Sequence, residues 1–178
     1  MAASSRAYRD MSRTLRLRAV LDSDRALRVR HQVQKVMADV IDVLPPITSQ
    51  EDFDRRHRDW RRMLVRFYED EGVTMSHGQA QKWINMTAKY LFVLNDDCTN
   101  KVAGFLHVPI DSVVAKQAKS QLDLKWPSVV WSKMDSDAYE EYQWLLRGVL
   151  SASGFAASPI EWEIEAWLDG MADRLGTG

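Results

Sequence analysis

The chain has 178 residues, 46% of them hydrophobic and 28% charged, a balance that excludes a disordered tail or a fibre. No run approaches the ~20 apolar residues a spanning helix needs, and the start, Met1 to Arg13, lacks an apolar leader core. One cysteine, Cys98, excludes an intramolecular disulfide, a four-thiolate zinc site and a cysteine-held iron–sulfur cluster, and the four histidines show no metal-ligand spacing. The expectation is a cytoplasmic, monomeric protein without metal, cofactor or membrane anchor. The net charge of −1 conceals an asymmetry: residues 1–66 carry 15 Lys and Arg against 9 Asp and Glu, and residues 67–178 carry 9 against 16. An arginine-rich third fits phosphate recognition, and equally fits a solvated helix face docked on an acidic half.

Glycine and proline are scarce, and a period near 3.6 dominates. Leu21 to Leu44 forms one helix through Leu27, Val33, Val36, Met37, Val40 and Ile41, with Asp22, Ser23 or Asp24 as cap and Pro45-Pro46 as breaker. Thr48 or Ser49 opens the next, which runs to about Asp70 with Phe53, Trp60, Leu64 and Phe67 inward. A third covers about Gln79 to Leu94, and the polar loop Asn95-Asp96-Asp97 follows. Val102 to Val108 is a short apolar passage, strand-like or helical. Asp111-Ser112 caps a helix to about Leu122; Asp135 or Ser136 opens another through Leu150, containing Tyr139, Tyr142, Trp144 and Leu145. Ser158-Pro159 opens the last helix, to about Leu168. The pattern predicts an all-α fold: a single compact helical domain over 1–178, or two helical lobes.

The third helix divides sharply. Ala80, Trp83, Ile84, Thr87, Leu91 and Leu94 share one face, read as core, while Lys82, Asn85 and Lys89 lie close together on the opposite one. That polar stripe reads first as solvated, and second as two lysines bracketing an amide that meet a phosphate or base edge. Downstream, His107-Val108-Pro109-Ile110-Asp111 ends in an aspartate that is an N-cap and also a carboxylate kept ionised by a helix N-terminus, facing a cleft.

Together, Gly78-Gln79-Ala80-Gln81-Lys82-Trp83-Ile84-Asn85 and Val108-Pro109-Ile110-Asp111 resemble the helix–hairpin–helix DNA glycosylases, most closely the archaeal members of the 8-oxoguanine branch. The resemblance spans residues 78–112. It implies that Lys82 attacks the sugar C1′ as the base departs and that Asp111 stabilises positive charge on the sugar. Gln81 is the alternative occupant of the lysine position, which would leave an abasic site uncut. The family's Leu-Pro-Gly-Val-Gly hairpin is absent; Gly72 and Gly78 are the nearby glycines. The absence of cluster-binding cysteines agrees with the oxoguanine branch.

The resemblance makes DNA with a flipped, modified base the expected partner, cleaved at the N-glycosidic bond. The base would be an oxidised purine in repair, or a bulky hypermodified cytosine in defence against phage. Trp126 and Trp131, around Pro127, are stacking candidates. Gln81, Asn85, Lys89, His107 and Gly78 join them as DNA-binding positions, with Arg55, Arg58 and Arg62 on phosphates. Glu161 and Glu163 read as a capping turn or as acceptors for an exocyclic amine. Two rival readings stand: a helical ribonuclease of the HEPN toxin kind using Arg25 and His31, and a non-catalytic DNA-binding or antirestriction protein.

Overall fold

The computed structural model describes residues 2–12, 14–15, 21–44, 46–125, 129–155 and 157–176, with side chains described as far as residue 172. The elements are α1 (Ala2–Ser12), α2 (Ser23–Asp42), α3 (Gln50–Asp70), α4 (His77–Val93), α5 (Asp97–Lys101), α6 (Ser112–Leu122), α7 (Ser136–Ala152) and α8 (Pro159–Gly176). Short 3₁₀ turns lie at Ala103–Phe105 and Trp131–Lys133. No strand occurs among the described residues, so the fold is all-α.

The helix starts follow local chemistry, because the first N–H groups of a helix lack internal acceptors. Asp22 accepts from Arg25 N, Ser49 from Asp52 N and Asp135 from Ala138 N. Ser76 and Gln79 form a reciprocal capping box at α4, and Asp111 accepts from both Val113 N and Val114 N at α6. Each lies at or within three residues of the expected start.

Two apolar clusters fill the interior. One joins α1 to α5 around Met11, Val33, Met37, Phe53, Leu64, Tyr68 and Trp83; the other joins α6 to α8 around Ile110, Val114, Tyr139, Leu146 and Trp162. The passage after the first 3₁₀ turn is extended, with Leu106 in the first cluster and Val108 and Ile110 in the second. Two expected core positions are exposed, Leu27 at 49% and Leu94 at 71%. Leu27 falls off the Val29–Val33–Met37–Val40 stripe, and Leu94 lies past the last turn of α4.

α1 has no counterpart in the sequence reading. Its inward residues Ala3, Ser4, Ala7 and Met11 are mostly small, which lets the helix approach α4 closely. There Trp83 donates its indole N–H to Ser4 O at 3.2 Å, and its ring lies 4.9 Å from that of Tyr8. With α1 on one side and α3, α7 and the Trp131–Lys133 turn on others, every residue of α4 from Gly78 to Lys89 is buried. The stripe expected to be solvated is therefore interior: Lys82 is 4% exposed, Asn85 2% and Lys89 7%.

Candidate active site

The extended passage poses a physical problem. A strand-like stretch inside a helical core has no ladder to bond its amides, and unpaired buried backbone groups cost roughly 1–3 kcal/mol each. Two glutamines solve it. Gln81 donates to Ile110 O at 2.9 Å and accepts from Ile110 N at 3.2 Å. Gln143 donates to Val108 O at 2.6 Å and accepts from Val108 N at 3.3 Å. Asn85 adds a bond to Val108 O at 3.2 Å. The side-chain amides stand in for neighbouring strands and fix the chain one residue before Asp111.

Asp111 is held from two directions. Its Oδ1 accepts the α6 N–H groups of Val113 and Val114 at 2.8 and 2.9 Å, and its Oδ2 lies 2.7 Å from Lys82 Nζ. Burial pushes the carboxyl up, but the Lys82 charge and the two backbone donors outweigh it and hold Asp111 below the usual carboxylate value. Asp111 is thus ionised at neutral pH while its side chain keeps 17% of its surface open, against 5% for Lys82. The two residues the resemblance singles out meet as an ion pair near the α4 and α6 N-termini.

Two turns further along α4, Lys89 Nζ lies 2.7 Å from Glu163 Oε2 of α8 and 5.2 Å from the Trp167 ring centre. Glu163 is fully buried; burial raises its carboxyl above the ordinary value, with Lys89 acting in the opposite sense. Lys89 therefore faces a carboxylate of its own chain.

On the far side of Asn85 a second network forms. Asn85 Nδ2 donates to Tyr139 OH at 2.9 Å, and His107 Nδ1 lies 2.8 Å from that hydroxyl. His107 Nε2 lies 2.6 Å from Asp54 Oδ1, so Nε2 carries the proton and Nδ1 accepts from Tyr139. Arg147 Nη2 closes on Asp54 Oδ2 at 2.9 Å. Burial drives His107 down to about 4, against the pull of Asp54. Asp54 itself is held at about 2, because bonds from His107 and Gln50 and the Arg147 charge overcome its burial. His57, fully buried, donates Nε2–H to Asn85 Oδ1 at 2.7 Å and is held well below its ordinary value by burial, then by its charged neighbours.

The remaining expected positions are dispersed. Gly78 is a packing residue: a Cβ there would sit 1.7 Å from Trp131 O, so glycine lets the Trp131 turn lie on α4. Trp131 is half-buried against the second cluster, close to the α4 start, and Trp126 lies outside the described residues. Arg55 pairs with Asp52, and Arg62 lies 3.8 Å from Asp59. Arg58 binds Glu140 through Nε and Nη2, at 2.9 and 2.5 Å to the nearest oxygens. Glu140 also takes the fully buried Arg61 at 2.5 Å, and it is held at about 2 although its burial alone would raise it. Arg25 is engaged by Glu71 at 2.8 Å and His31 is exposed, about 120° away round α2. Glu161 caps α8 by accepting from Ser158 N at 2.7 Å. Gln143, Tyr139, Asp54 and Arg147 carry no motif, and nothing in the sequence pattern marks them as partners of His107 or Val108.

No group of His, Cys, Asp and Glu suited to a metal ion occurs among the described residues, and no described helix is long and apolar enough to cross a membrane. Compared with known proteins, the chain matches no family model, no curated protein and no solved structure.

Proposed function

We propose that the chain is a DNA N-glycosylase that excises a modified base, with Asp111 as the carboxylate that stabilises the sugar cation and Lys82 as the amine beside it. The observation that carries this reading is the 2.7 Å approach of Lys82 Nζ to Asp111 Oδ2, two groups 29 residues apart in sequence. As the C1′–N bond breaks, its electron pair leaves with the base and C1′ becomes cationic. A fixed carboxylate nearby lowers that barrier electrostatically. Asp111 suits the role because its charge is maintained by backbone donors that need not move during the reaction. Lys82 can pass a proton to the departing base, and its freed amine then attacks C1′; breaking the C1′–O4′ bond, with a proton from the nitrogen going to O4′, leaves the Schiff base.

The test uses DNA containing oxidised purines, uracil or glucosylated cytosine, with released bases identified by mass spectrometry. Asp111→Asn removes the charge and retains the cap but leaves the buried Lys82 ammonium without its carboxylate, so base release is lost and the thermal midpoint falls; circular dichroism at the assay temperature separates lost chemistry from unfolding. Borohydride traps a covalent protein–DNA adduct with the wild type and not with Lys82→Gln. Undiminished base release by Asp111→Asn overturns the assignment. The excised base decides between a repair role and a defence role.

A further inference from the structure

α7 turns one edge to solvent in an unusual way. Trp144 is 68% exposed, and no ring or cation lies against it among the described residues. Glu141, one turn earlier on the same side and also exposed, makes no ion pair among the described residues. Between them opens a hollow of about 300 Å³ whose floor is Asp54, His107, Gln143 and Arg147.

The floor is rigid and its charges are already committed. Asp54 is bound by Arg147 and His107, Gln143 is locked to Val108, and Glu140 at the edge is taken by Arg58 and Arg61. His107 is neutral at pH 7, so it does not repel a cation. What remains unspent is one aromatic face and one carboxylate, on side chains whose Cβ atoms lie about 5–6 Å apart at this helical spacing.

We propose that this hollow binds a guanidinium group, stacked on the Trp144 ring and bridged to the Glu141 carboxylate. A planar cation uses both features at once: its face meets the indole and its parallel N–H groups meet the two carboxylate oxygens. An ammonium has no plane to stack, and a phosphate-bearing ligand meets the one charge of the lining left unpaired among the described residues, the Glu141 carboxylate, as a like charge. The volume accommodates an arginine side chain or a free guanidino compound of that size. The site is separate from the Lys82–Asp111 pair and does not depend on the DNA reading.

The experiment is a titration followed by backbone amide shifts of α7, using Nα-acetyl-arginine methylamide, its neutral citrulline counterpart, and a Gly/Ser octapeptide with one arginine. The arginine probes produce saturable shifts and citrulline produces none. Trp144→Ala and Glu141→Gln, both exposed and outside the interior networks, each weaken binding about 2–5-fold. Tighter binding of the peptide identifies a protein partner's arginine as the source; equal binding identifies a small guanidino compound. Equal binding of citrulline, absence of saturation, or wild-type affinity in both variants overturns the proposal.

Discussion

Stability should fall steeply between pH 6.5 and pH 4, and His107 is the main reason. Folded, the imidazole is buried between Tyr139 and Asp54 and titrates at about 4, whereas in the unfolded chain it titrates near 6.5. Between those values the unfolded state binds a proton that the native state refuses. The stabilisation is therefore complete above pH 6.5 and is lost as pH falls through the folded value. The difference is worth about 3 kcal/mol from this one residue, a large part of the roughly 5–15 kcal/mol that holds a domain together. His57, buried in contact with Asn85 and depressed in the same direction, adds to the effect. Asp54 and Glu140, both held at about 2, contribute a separate loss only below about pH 4.5. Urea denaturation at several pH values between 7.5 and 4.5 would read the slope, to which each histidine contributes at most about 1.4 kcal/mol per pH unit. His107→Gln lowers stability at pH 7 and removes one histidine's share of the slope. A wild-type curve flat between pH 7 and 5, or an identical slope in His107→Gln, refutes this account.

Three further outcomes test the packing. Gly78→Ala places a methyl against the Trp131 backbone oxygen, which cannot rotate aside, so thermal unfolding should reveal a loss of about 3 kcal/mol. Glu163→Gln strands Lys89 as a buried cation at a cost of about 3–5 kcal/mol, while the paired change Lys89→Met with Glu163→Leu is neutral or stabilising in a denaturant titration. Because Arg58 is occupied by Glu140, Arg58→Ala should lower the thermal midpoint, and it leaves unchanged the salt dependence of whatever affinity for DNA the proposed glycosylase reading predicts.

The sequence by itself determined six of the eight helices, α2 to α4 and α6 to α8, and their starts. Capping is local chemistry, and a Ser or Asp three residues before a free N–H acts wherever the helix later packs; hence Ser49, Asp111 and Asp135 were readable in place. Periodicity likewise separated the Trp83 face of α4 from the Lys82 face. It left α1 unread, since small residues such as Ala3 and Ala7 give a weak apolar signal until a neighbouring helix is laid against them. Whether the second face of α4 met water or protein was a tertiary matter. Lys82 and Lys89 are interior because Asp111 and Glu163 arrive from α6 and α8 to neutralise them, and no local spacing records an encounter between residues 29 or 74 positions apart. The same holds for Gln81 and Gln143, which only the fold reveals as the hydrogen-bonding partners of an extended segment that has no sheet. Local bonds are written in neighbouring letters; the burial and pairing of charge depend on which distant segments the core brings together.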